Sequence, residues 1–267
     1  SRLEDSVAPS WKISRVFQDG NNDLTQESTD PVSRFACPFH RGVSEVLPRV
    51  LESEVMDRPE EARDYDAMDH SAVNLRFVDD FLAVHGPGRG GELLDVGTGP
   101  ARVPIALCRA DRHFRVLGVD LAGPMLELAR RNVADAGLTD RIRFARGDAK
   151  TLPFPDGRFE AVISNTIIHH IPDPEPALAE MVRLVAPGGT LMVRDLARPA
   201  DEAALEAQVE LHAADEPIPA RNLFRDSLHA ALTLDEVQAM VRGLGLPAES
   251  VTLTSDRHWT WTWSRPS

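Results

Sequence analysis

From about Ser71 onward, the chain alternates between two hydrophobic periods. Ser71 to Val84 repeats Val73, Phe77, Val78, Phe81 and Leu82 at helical spacing, and His85-Gly86-Pro87-Gly88 ends that pattern. Glu92 to Val96 is a short apolar run ending in a carboxylate, as expected of a central parallel strand. Gly97 and Gly99 follow it. Val103, Ile105, Ala106 and Leu107 then supply a helix face, with Pro104 tolerated in the first turn. Arg115 to Val119 reads as a second strand ending at Asp120. Gly123-Pro124 opens a helix whose face is Met125, Leu128, Ala129 and Val133, closed at Gly137. Ile142 to Ala145 is a third strand before Gly147-Asp148, and Phe159 to Ser164 a fourth before Asn165. Leu178, Met181, Val182 and Val185 mark a further helix, stopped by Pro187-Gly188-Gly189, and Thr190 to Val193 is a fifth strand.

The end of the chain differs. Thr233-Leu234-Asp235-Glu236 is a capping box opening a helix to about Arg242. Val251 to Thr254 and His258 to Trp263 flank Ser255-Asp256-Arg257 as a hairpin, so one strand there runs antiparallel to the others. Trp259, Trp261 and Trp263 alternate with Thr260 and Thr262, an aromatic face suited to packing the sheet against a helix. The pattern predicts an α/β fold of Rossmann-like type: a seven-stranded, mostly parallel sheet with a C-terminal antiparallel hairpin and helices on both faces. A ligand of such a sheet belongs at the carboxyl ends of its strands, where Gly97, Gly99, Asp120, Asp148 and Asn165 all fall.

Three segments lie outside this alternation. Residues 1–45 contain the polar stretch Gln18 to Asp30 and are expected to be poorly ordered, with Trp11, Phe17, Phe35 and Phe39 able to dock on the body. Residues 46–90 read as a helical cap, the core following from 91 to 267. The cap's acidic run, including Glu52, Glu60 and Asp66, is either a solvated helix face or a segment carrying Tyr65, Met68 and His70 over the site. Residues 196–232 are long for a connection in this fold and are expected to cover the substrate. They contain an amphipathic helix near Asp201 to His212. Arg194, Asp195 and Arg198, with Arg221, Asn222 and Arg225, are candidates to recognise a polar or anionic acceptor, against the alternative of plain surface charge.

Composition narrows the function. A net charge of −13 disfavours a broad nucleic-acid footprint, which needs a basic face. Cys37 and Cys108 lack a C-x-x-C spacing, so they suggest neither a metal site nor a disulfide framework, and a reducing compartment fits. No run of 18 apolar residues and no signal-peptide pattern is visible, which makes a cytoplasmic location the expectation.

The motifs resemble those of the class I S-adenosylmethionine-dependent methyltransferases. Leu94-Asp95-Val96-Gly97-Thr98-Gly99 is similar to their first motif, and Gly118-Val119-Asp120 to the acidic end of their second strand. Gly147-Asp148-Ala149 with Leu152-Pro153-Phe154, then Phe159 to Ser164, then Leu184-Val185-Ala186-Pro187-Gly188-Gly189 follow in the family's order. The similarity spans about residues 70 to 195 and is strongest to the small-molecule branch that includes the quinone-biosynthesis enzymes. Ala101 departs from it, where a third glycine is frequent, and so does Ala122, where a serine is.

The resemblance implies S-adenosyl-L-methionine as cofactor and S-adenosyl-L-homocysteine as product. Gly97 and Gly99 would admit the methionine part, with Asp95 holding its ammonium. Asp120 would accept from both ribose hydroxyls; it lies 23 residues past Gly97, a fitting separation in a βαβ unit. Asp148 would accept from the adenine amino group and the Ala149 amide would meet the ring. Leu121 and Met125 would sandwich it, and Asn165 would stand beside the methionine carboxylate and the sulfonium.

Methyl transfer from a sulfonium is an in-line displacement that mainly needs alignment and desolvation. A base helps when the acceptor has a proton to lose. In Thr166-Ile167-Ile168-His169-His170, His169 is the candidate base and His170 a weaker candidate that could contact the acceptor. The expected reaction is methylation of a small molecule at an undetermined O, N or C atom. An RNA or protein methyltransferase, a non-catalytic cofactor-binding protein and a nicotinamide-dependent dehydrogenase are the alternatives. Assembly as a homodimer is left open.

Overall fold

The computed structural model describes residues 47–52, 58–67 and 70–267. Cys37, Met68 and the segment 1–45, including its aromatic residues, lie outside the described residues.

Seven strands form one sheet: β1 Gly91–Val96, β2 Phe114–Asp120, β3 Ile142–Arg146, β4 Phe159–Asn165, β5 Val185–Leu196, β6 Val251–Leu253 and β7 His258–Ser264. Their spatial order is β3-β2-β1-β4-β5-β7-β6. The first five are mutually parallel. β7 runs antiparallel to both β5 and β6, as the hairpin pattern predicts. The order reverses at β1, whose neighbours are β2 and β4, so the crevice of this sheet opens at the end of β1.

Helices cover both faces. On one, α2 Ser71–His85, α3 Arg102–Ala110 and α4 Gly123–Asp135 bury Phe77, Phe81, Leu107 and Val133 against Leu93, Val116 and Ile163. On the other, α5 Glu175–Leu184 and α8 Leu234–Gly243 bury Leu178, Met181, Val237 and Val241 against Leu94, Val162, Trp259 and Trp261. Trp259 and Trp261 thus pack sheet to helix, and the Thr233–Glu236 capping box of α8 is formed. No helix among the described residues is long and apolar enough to cross a membrane.

One local expectation changes. Val185 opens β5 rather than closing a helix, and pairs with Phe159 across a register shift. Gly189 makes that irregularity feasible, because a Cβ there would lie 2.7 Å from the Ala186 carbonyl oxygen. The cover is a helix pair: α6 Glu202–Ala213 is the anticipated one, and α7 Ile218–Ala230 begins beside Pro217 and Pro219, which suit a first turn. In the cap, α1 Pro59–Ala67 packs Ala62 and Tyr65 on Met125 and Leu128 of α4. Asp66 fastens that contact, accepting from Arg102 at 2.8 Å and from Asn132 at 3.3 Å.

Candidate active site

A cavity of about 620 Å³ opens over the ends of β1, β2 and β4 and is flanked by α1 and the start of α2. Asp95, Gly97, Gly99, Asp120, Leu121, Met125, Asp148, Ala149 and Asn165 all line it.

The turn after β1 is shaped by contacts on both sides. Gly97 has φ +73°, and its N–H donates to the Val119 carbonyl at 2.8 Å. A Cβ at Gly97 would stand 2.2 Å from Ile167 Cγ2, so a neighbouring side chain already excludes one. Gly99, at φ +52°, has nothing within 4 Å of an added Cβ. Space is left there for something other than protein. Ala101 adopts φ 63° at the start of α3, a left-handed conformation that costs an alanine about 1–2 kcal/mol and explains the preference for glycine there.

The acids are held differently. Asp120 accepts the Gly99 N–H at 2.8 Å through Oδ2 and the Ala122 N–H at 2.9 Å through Oδ1; burial nevertheless raises its pKa. Asp95 is buried, and its pKa is pushed up to about 7 by desolvation, with Asp120 adding to the rise against the Thr98 hydroxyl. Asp148 accepts the Lys150 N–H at 3.0 Å and faces its ammonium at 3.2 Å. Asn165 presents a buried Oδ1 with no hydrogen-bond partner among the described residues.

Thr166 has φ 56°, an outlier for a β-branched residue, at the point where β4 meets the cavity. Its N–H donates to the Arg194 carbonyl at 2.8 Å, and its hydroxyl meets that of Tyr65. Tyr65 and His70 both line the cavity, their rings 5.2 Å apart, and desolvation raises the Tyr65 phenol above its usual pKa. Sequence reasoning missed Thr98, Asp66, Thr166 and Ile167 as shapers of this wall. Only the spacing of Ile167 from the fourth strand could have hinted at its place.

The histidine pair divides. His170 lines the cavity; His169 is buried behind it. His169 Nδ1 meets Asp195 Oδ1 at 2.5 Å and its Nε2 lies 3.2 Å from Glu52 Oε1. Burial disfavours its charge, but Asp195 and Glu52 outweigh that and raise its pKa to about 9. His169 therefore carries its proton near neutral pH and stands outside the cavity wall, a correction to its expected role as base.

The basic candidates are also corrected. Successive residues of a strand point to opposite faces. Arg194 turns into the α2 layer, donating to Asp80 at 2.7 Å and Thr260 at 2.8 Å beside the Phe77 ring. Asp195 turns the other way, to His169, and Arg198 pairs with Glu236. Arg221 and Arg225 of α7 bind Glu210 and Glu206 of α6, and Asn222 sits beside Arg225, so all three serve the helix pair. None of Arg194, Arg221, Asn222 or Arg225 lines the cavity.

Comparison with known proteins agrees with this geometry. Residues 94–193 match the family described as "Methyltransferase domain". Over 107 residues the chain is 40% identical to the demethylmenaquinone methyltransferase of Thermus thermophilus, covering 40% of this chain and 48% of that protein. Over 172 residues it is 33% identical to the 27-O-demethylrifamycin SV methyltransferase of Amycolatopsis mediterranei, covering 64% of this chain and 60% of that one. The match thus spans about half to three fifths of these relatives. A solved structure described as an S-adenosyl-L-methionine-dependent methyltransferase, from Methanococcus maripaludis, shares the fold with a TM-score of 0.62 at 20% identity, over 82% of this chain and 98% of that one. Sheet order, glycine turn and strand-end acids define a class I methyltransferase fold. Residues 94–193, from within β1 to within β5, thus carry a methyltransferase domain, and the chain shares the fold of the S-adenosylmethionine-dependent methyltransferases.

Proposed function

We propose that the protein transfers a methyl group from S-adenosyl-L-methionine to a small-molecule acceptor. The observation that carries this is the convergence in one cavity of Asp95, Asp120 and Asp148 with Asn165, whose Oδ1 has no partner among the described residues, beside open space at Gly99.

The residues present fit the cofactor. Asp120 would accept from the ribose hydroxyls, its carboxylate already oriented by the Gly99 and Ala122 amides. Asp95 would face the ammonium, Asp148 the adenine amino group with the Ala149 amide beside the ring, and Leu121 and Met125 its two faces. Asn165 would offer its oxygen near the methionine end. When bound, this cofactor supplies an activated methyl on a sulfonium. The chain's own task is then to align the acceptor and exclude water.

Tyr65, His70, Asn74 and His170 line the cavity and would meet the acceptor, among apolar Leu75, Ile105 and Ile171. A cavity with a few polar groups on an apolar wall suits a small molecule rather than a charged polymer. The net charge of −13 points the same way, and both relatives are named for methylation of small molecules.

Titration calorimetry with S-adenosyl-L-homocysteine, with NADH as control, tests the reading. Micromolar binding of the former alone is expected, followed by label transfer from S-adenosyl-L-methionine in an acceptor screen. Binding of NADH instead would overturn it.

A further inference from the structure

Glu52, His169 and His170 meet at one point although the first is 117 positions from the second. Glu52 Oε1 lies 3.2 Å from His169 Nε2 and 3.3 Å from His170 Nδ1. Two ligands of a tetrahedral zinc ion, at bond lengths of about 2.0–2.1 Å, stand about 3.3 Å apart. We propose that these three side chains form a site for a divalent transition-metal ion of the Zn²⁺ type, at the edge of the cavity.

Three features support a built site rather than a chance ion pair. A single carboxylate oxygen serves both rings, where a plain salt bridge needs only one. The remaining nitrogen of His169, Nδ1, is held by Asp195, whose Oδ2 also accepts the Ile168 and His169 N–H groups, at 2.5 and 3.1 Å. A carboxylate behind a histidine in this way fixes the ring and directs Nε2 to a metal. Glu52 is in turn anchored by its own segment. Arg49 donates to the carbonyls of Ala230, Pro172, Ile171 and His169, and the Ser227 hydroxyl reaches Glu52 Oε1 at 3.2 Å.

Two imidazoles and one carboxylate suit a borderline ion, and three protein ligands leave a coordination position for water or substrate. An ion there would replace the proton between His169 Nε2 and Glu52. Because His170 belongs both to the trio and to the cavity wall, the ion would lie within reach of an acceptor. Resting on the proposed methyl transfer, its role would be to lower the pKa of an acceptor hydroxyl or thiol so that its proton passes to water; the acceptor–methyl bond then forms as the sulfonium–methyl bond breaks, and S-adenosyl-L-homocysteine leaves.

The full chain, stripped with a chelator and desalted, is titrated with ZnCl₂ by calorimetry and with CoCl₂ by visible absorption. One equivalent of Zn²⁺ at micromolar affinity or tighter is expected, with the intense bands of low-coordinate Co²⁺. Glu52→Gln is expected to weaken Zn²⁺ binding at least tenfold while leaving the affinity for S-adenosyl-L-homocysteine unchanged. That second titration also separates failure of the metal site from failure of the cofactor reading. Absence of stoichiometric Zn²⁺ binding, or Zn²⁺ affinity retained in the Glu52→Gln/His170→Ala double variant, would overturn the proposal.

Discussion

Gly97 and Ile167 occupy each other's space: a Cβ on the first would stand 2.2 Å from Cγ2 and 2.8 Å from Cδ1 of the second. The glycine turn is thus determined partly by a residue two positions past β4, and not solely by a ligand. Gly97→Ala should destabilise the fold by about 2–4 kcal/mol, combining a left-handed alanine with overpacking. Ile167→Ala should relieve most of the overpacking, its remaining Cβ standing 2.9 Å away, while leaving the φ cost. A urea-melt double-mutant cycle should show favourable coupling of about 1 kcal/mol or more. Strict additivity would mean that the two do not collide.

Asp120 makes a different kind of contact, to backbone amides of the turn it faces. Asp120→Ala should weaken S-adenosyl-L-homocysteine by about 1–3 kcal/mol, the scale of an unpaired polar site. Because Gly99 and Ala122 also lose their acceptor, some of the effect should appear as stability, and Asp120→Asn should retain more of it. Calorimetry of both variants beside their melts separates the two. Unchanged affinity in Asp120→Ala would remove the ribose assignment.

Arg194 illustrates what a motif position cannot reveal. It closes the fifth strand's parallel register, yet its side chain is buried against Phe77, with Asp80 and Thr260 as partners. Arg194→Met should cost about 3 kcal/mol, the lower end for breaking a buried pair because Asp80 keeps access to water. Asp80→Asn/Arg194→Met should recover part of that loss. Cofactor affinity should follow stability alone. A selective loss of acceptor binding in a well-folded Arg194 variant would restore it as a recognition residue.

The legible parts of the molecule were those set by local period and turn chemistry. The mostly parallel sheet followed from alternating strands and helices, the position of the cavity from glycines and acids at strand termini, and the packing of Trp259 and Trp261 from period two. What escaped were orientations fixed at long range. Which way Arg194 and Asp195 face depends on which layers pack against β5. Glu52 meets His169 from a segment that Arg49 ties to the carbonyls of Ala230 and Pro172, distant in sequence. Arg221 and Arg225 sit on a helix whose start has prolines on both sides of Ile218, and their partners are carboxylates of the preceding helix.

Asp95 gives the site a pH dependence whose sign follows from burial. Its carboxyl titrates near pH 7 in the fold, against about 3.9 in an unfolded chain. The folded state therefore keeps its proton where the unfolded state has lost it. Without cofactor, stability should fall as pH rises from about 4 to about 7 and then level off, by a few kcal/mol in all. The ammonium of S-adenosyl-L-homocysteine would favour the ionised form, so its affinity should change in the opposite direction. Calorimetry should show affinity rising up to about tenfold per pH unit from pH 6 toward 7, and flattening above. Asp95→Asn should bind more weakly at pH 8 and lose most of the slope, because the asparagine has no proton to release. A wild-type profile that is flat between pH 6 and 8, with a folded Asp95→Asn variant of equal affinity, would place the ammonium elsewhere in the cavity. Asn165 Oδ1 would then be the acceptor to test next.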